Sequence, residues 1–129
     1  MGLCSPEAAA VMQSFYLRSM EQPEFGFVYV VCGSVEEAKK LAQIVLERRL
    51  AACANIIPTI HSLYWWEGAI QEGTETLLLL KAPYIYYEAI ERLIRTNHSY
   101  QVPAILQVPI AQGLPEYLRW LAAETEFDY

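Results

Sequence analysis

The octapeptide TNHSYQVP, residues 96–103, holds His98, one of only two histidines in the chain. Cys32, in FVYVVCG, is one of three widely spaced cysteines, with Cys4 and Cys53. An imidazole and a thiolate together suit a soft or borderline metal such as copper. Both residues also have plainer uses. A histidine in the last turn of a helix is favoured by the macrodipole and can cap carbonyls, and a free cysteine usually packs as a small hydrophobe. At this level His98 either binds a metal or finishes a helix, and Cys32 either ligates or fills the core. Cys53, in LAAC, reads as core, and His61 as a surface or interface residue. Two ligands fall short of the four of a closed zinc site. A third would come from Glu67, water or another chain.

Other chemistry has little to stand on. The sequence has no Cys-x-x-Cys, no His-x-x-x-His and no glycine-rich phosphate loop. A Cys32–His98 nucleophilic pair would need an oriented imidazole and an oxyanion site that nothing in the sequence supplies. The chain therefore reads as a protein that is not an enzyme.

The elements that must position these residues follow in a clear order. Residues 1–24 stand apart as an appendage, and residues 25–129 form the domain. Phe27 to Gly33 is β-branched and aromatic and predicts a strand. Ser34 and Glu37 form a capping box, and Ala38, Leu41, Ala42 and Val45 continue a helix to about Leu50. A second strand begins at Ala52 and runs past Pro58 to Trp66, and Glu67-Gly68 marks a tight reversal into a third, strongest at Thr76–Lys81. Pro83 starts a second helix with the stripe Tyr86, Ala89, Ile90, Leu93 and Ile94. Pro103 opens a fourth strand, which Pro109 confines to a sheet edge, and Pro115 fits the first turn of a last helix through Glu124. The order βαββαβ, with right-handed crossovers, gives an α+β ferredoxin-like sandwich with an elongated hairpin and a C-terminal helix. This topology brings Cys32, His98, Tyr100 and the Trp66-Glu67-Gly68 turn to one end of the sandwich, within or between subunits.

The totals exclude several classes. At 129 residues, 54% hydrophobic and 19% charged, the chain is one globular domain. A net charge of −6 gives no electrostatic case for nucleic acid or a polybasic membrane patch. No apolar run reaches the roughly 18 residues of a membrane helix. The odd, scattered cysteines suit a reducing cytoplasm.

The strands carry a further message. FVYVV and TLLLL are apolar on both faces, whereas a half-solvated sheet alternates. Two helices cover one face only. A closed homo-oligomer, sheet faces inward, would bury the rest; the alternative is that residues 1–24 fold over that face.

The stretches ERRLAACANIIP (47–58), SLYWWEG (62–68), HSYQVPAILQVPI (98–110) and GLPEYLRWL (113–121) resemble the CutA divalent-cation tolerance family. The resemblance runs from about residue 26 to residue 125. It implies a homotrimer related in architecture to PII signalling proteins, with binding of copper or other divalent cations and no established catalysis. It also implies Cys32 and His98 as metal ligands. Asn97 stands where some members have a second histidine, and Gln101 and Ala104 stand where the family often has carboxylates. An intersubunit cleft near Trp66, Glu67, Lys81 and Tyr100 completes the expectation, with a PII-like interaction scaffold as the alternative function.

Overall fold

The computed structural model describes residues 5–21 and 23–129. Its elements are α1 (Pro6–Glu21), β1 (Phe25–Cys32), α2 (Val35–Glu47), β2 (Cys53–Trp66), β3 (Ala69–Pro83), a 3-10 turn (Tyr84–Tyr86), α3 (Tyr87–Asn97), β4 (Ile105–Ile110) and α4 (Pro115–Glu124). Four antiparallel strands lie in the order β2-β3-β1-β4, the sheet of a ferredoxin-like α+β fold. β4 is an edge strand, and Pro109 within it removes no central ladder bond.

Alternation along β1 and β3 divides the sheet into two faces. Val28, Val30 and Cys32 of β1 and Leu78, Leu80 and Ala82 of β3 share one face. There they form the main core with Ala38, Leu41, Ala42 and Val45 of α2 and Ile90 and Ile94 of α3. Phe25 points to the opposite face, where Leu121 and Ala122 of α4 close over it. Further along that face, Tyr29 and Val31 are only half-buried. Ile57, Leu106 and Val108, from the flanking strands, are exposed. Residues 6–13 of α1 are themselves exposed.

Local chemistry explains the element ends. Ser34 caps α2 by accepting the Glu37 N–H at 3.1 Å. The helix stops at Glu47 rather than near Leu50, because Arg49 takes a left-handed conformation with φ 58°. Its N–H donates to the Leu46 carbonyl and that of Leu50 to Val45, the paired bonds of a Schellman close. At the tip of the β2–β3 hairpin, Glu67 (φ 50°) and Gly68 (φ 79°) both adopt positive φ, as a two-residue reversal between twisted strands requires. A register shift between Ile57 and Ile60 interrupts the ladder at Pro58. There the Thr76 hydroxyl donates to the Pro58 carbonyl at 2.8 Å, supplying a bond the ladder omits.

The helix after Pro83 differs from expectation. It opens with a 3-10 turn, which advances 120° per residue and changes the phase of the stripe. Tyr87 packs against the core and donates its hydroxyl to the Ile105 carbonyl at 3.2 Å, whereas Ala89 is exposed.

Candidate functional site

Three chain segments meet at one end of the core: the last residue of β1, the first turn of α2 and the loop leaving α3. They bring the Cys32 thiol, the Glu37 carboxylate and the His98 imidazole together, with ligating atoms all within 4.8 Å. Cys32 is fully buried and its thiol points weakly to the Val30 carbonyl, 3.9 Å away. Burial, aided by the negative charges of Glu37 and Glu75, pushes its pKa up to about 12.

Glu37 is the residue that sequence reasoning assigned only to a helix cap. Its side chain does not reach back to Ser34, as a capping box would have it. Oε1 accepts the Gly33 N–H at 2.9 Å, and Oε2 accepts the Ser99 N–H at 2.8 Å. Burial works against its ionised form, but the bonds from Gly33 and Ser99 outweigh it and hold the carboxyl below its ordinary value. The carboxylate thus ties β1 and α2 to the loop after α3.

His98 is the C-cap of α3, and its side chain is fully buried. It leaves the carbonyls of its own helix alone. Nε2 lies 2.8 Å from the Val31 carbonyl, which can only accept, so Nε2 carries the proton. Nδ1 then presents a lone pair and accepts the Tyr100 N–H at 3.0 Å. Glu37 Oε2 stands 3.9 Å from Nδ1, with no proton between them in this tautomer.

Tyr100 covers the group. Its ring lies 4.9 Å from the His98 ring and 3.5 Å from where a Cβ on Gly33 would stand. Its hydroxyl donates to Glu75 Oε2 at 2.8 Å, and burial followed by that carboxylate pushes the phenol pKa up.

The donor set suits a borderline divalent cation: one thiol, one imidazole and one carboxylate. Its lone pairs are largely engaged, because Nδ1 and both Glu37 oxygens hold N–H partners. These residues can therefore hold a metal once the Ser99–Tyr100 backbone moves off them and the thiol loses its proton.

The other expected site residues do not join this cluster within the chain. Trp66 and Glu67 sit at the tip of the hairpin, and β3 residues 69–75 lie beyond the last rung with β1, at Cys32–Thr76. At roughly 3.3 Å per residue the tip stands about 23 Å further out. Glu67 is therefore excluded as the third donor of its own chain. Lys81 lies toward the opposite end of β3, cross-strand from Cys53, with its ammonium 5.5 Å from the Tyr117 ring centre. Tyr100 alone of the four borders the cluster. Cys4 lies outside the described residues, and Cys32 and Cys53 are not bridged.

The family model described as "CutA1 divalent ion tolerance protein" matches residues 26–124. The chain belongs to this CutA1 family. The divalent-cation tolerance protein CutA of Archaeoglobus fulgidus is 39% identical over 100 residues, 78% of this chain and 97% of that protein. A chloroplastic CutA 1 of rice, Oryza sativa, is 41% identical over 98 residues, which is 76% of this chain and 55% of the relative. The mouse protein CutA is 40% identical over the same shares. The chain thus spans about half the length of these plant and animal CutA proteins. Among solved CutA structures, the A. fulgidus protein, called periplasmic, superposes with a TM-score of 0.76 at 37% identity over 78% of this chain and 98% of its own. Rice CutA1 superposes with the same TM-score at 38% identity, over 79% and 94%. Among the described residues no helix is long and apolar enough to cross a membrane.

Proposed function

We propose that the chain is a homotrimeric divalent-metal-binding protein, chiefly for copper, acting in response or tolerance to metal ions. The observation that carries this reading is the convergence of Cys32, Glu37 and His98 from three separate segments. Membership of a divalent ion tolerance family supports it. Glu37 takes the place of third donor, in one chain and without a contribution from Glu67. Trimer formation is supported by the half-open second sheet face and by the exposed hairpin residues Leu63, Tyr64, Trp65, Trp66 and Ile70. Catalysis has no part in this reading: the thiol is buried and protonated, and the imidazole beside it has both nitrogens occupied. Two unbridged cysteines accord with a cytoplasmic location.

A calorimetric copper titration of the wild type beside His98→Ala tests the reading, with light scattering to establish equal assembly. Tight binding that disappears with the imidazole is the expected result. Unchanged or weak binding would sink it and favour a second reading, a PII-like interaction scaffold in which metal is incidental. That reading draws on the occupied lone pairs of His98 and on the projecting hairpin. It places binding in an intersubunit cleft near Trp66, Glu67, Lys81 and Tyr100.

A further inference from the structure

The loop that leaves α3 after His98, residues 99–103, lies against the Cys32–Glu37–His98 cluster and is fastened at two kinds of point. Backbone N–H groups of Ser99 and Tyr100 occupy the Glu37 carboxylate and His98 Nδ1, at 2.8 and 3.0 Å. These are the bonds that must break before either group can take another ligand. Among the described residues, the one side-chain hydrogen bond of Tyr100 is different in kind. Its hydroxyl crosses to β3 and donates to Glu75 Oε2 at 2.8 Å, a charge-assisted bond in a part-buried setting. The ring it anchors lies over Gly33 and beside His98.

We propose that the Tyr100–Glu75 hydrogen bond is the latch that controls access to the Cys32–Glu37–His98 cluster. With the latch closed, the Tyr100 backbone is pinned to Nδ1 and the ring stays beside His98 and over Gly33, the residue that follows Cys32. With it released, the loop swings away as a unit. Nδ1 and Glu37 Oε2 then lose their N–H partners and the way to the thiol opens, while Oε1 keeps the Gly33 N–H. Tyr100 and Glu75 act here as positioning residues and do not ligate. The anchor is placed where it can sense the rest of the molecule. Glu75 precedes Thr76, whose hydroxyl holds the Pro58 bulge at the root of the hairpin. A force that repositions the hairpin therefore displaces one end of the latch.

The role of the latch in metal capture rests on the proposed function, but the opening itself can be read without metal. The experiment uses the full chain with Cys4→Ser and Cys53→Ser, so that Cys32 is the one thiol. Its reaction with dithiobis-nitrobenzoate is timed beside the same chain carrying Tyr100→Phe or Glu75→Gln. Light scattering and a urea unfolding curve accompany each variant. Loss of a charge-assisted bond should raise the Cys32 rate by on the order of tenfold in Tyr100→Phe. Glu75→Gln, which keeps a neutral acceptor, should give a smaller rise. Neither should reach the rate expected from global unfolding. An unchanged rate in Tyr100→Phe overturns the latch, as does a rise that merely follows the loss of global stability. A copper titration of the same proteins separates the two ideas. Faster Cys32 reaction with no copper binding in any variant keeps the latch and removes the metal reading. Faster reaction with tighter copper binding supports both.

Discussion

At the residue scale, Glu37 joins three segments through two N–H bonds, and its ionisation is part of the fold's stability. Its folded pKa is depressed relative to the ordinary value near 4.5. The stabilisation is therefore complete above that value and is lost as pH falls through the lower folded pKa. Urea unfolding from pH 7 to pH 3 should show wild type more stable than Glu37→Gln at neutral pH, with the gap narrowing only below about pH 4.5. A gap independent of pH would mean that the carboxylate's charge contributes nothing. The sequence disclosed half of this residue. Ser34-x-x-Glu37 correctly marked the helix start, but a capping box turns Glu37 back on its own helix. One competing donor, Gly33, directly precedes Ser34, but the other, Ser99, lies in a loop 62 residues away, and local spacing carries no signal for it. His98 was expected to bind a metal or to cap its own helix, and its hydrogen-bond partner is the Val31 carbonyl of β1 and not the end of α3.

At the scale of elements, the hairpin was the most legible part. The Glu67-Gly68 pair marked its reversal, because glycine supplies the positive φ that a two-residue turn needs. Gly68 stands at φ 79° with open space around it, so a methyl group there meets strain and no clash. Gly68→Ala should lower stability by about 1 kcal/mol in urea unfolding, with the same assembly by light scattering. No measurable loss would show that the turn relaxes into another form. The helix after Pro83 was less legible. Proline correctly signalled a start, but the first three residues chose a 3-10 turn. The stripe that followed rotated away from Ala89 and toward Tyr87. The end of α2 was missed for a similar reason. An arginine rather than a glycine takes the left-handed position, and Arg49 is then held by an ion pair to Glu124 at 2.8 Å.

At the scale of the molecule, two-sided hydrophobic strands pointed to a sheet with an unmet face, and among the described residues that face is covered only in part. α4 closes only the Phe25 end. Trp65 and Trp66 remain 73% and 61% exposed, an exposure that assembly would remove. Light scattering at micromolar concentration should give three times the 14.7 kDa chain mass. Trp66→Ala should weaken the assembly by about 3 kcal/mol, seen as dissociation on dilution. A monomeric wild type would refute the argument from the sheet.

The projecting hairpin has a consequence for the life of a newly made chain. Its two strands are neighbours in sequence and can pair as soon as they are synthesised, whereas β1 must find partners far along the chain. The hairpin's exposed aromatic residues, Tyr64, Trp65 and Trp66, therefore lie in the segment with the most local pairing. Glu67 at its tip and Glu72 opposite Leu63 place negative charge on that apolar surface, as charged residues flanking hydrophobic strands commonly do against aggregation. The net charge of −6 keeps early copies apart as well.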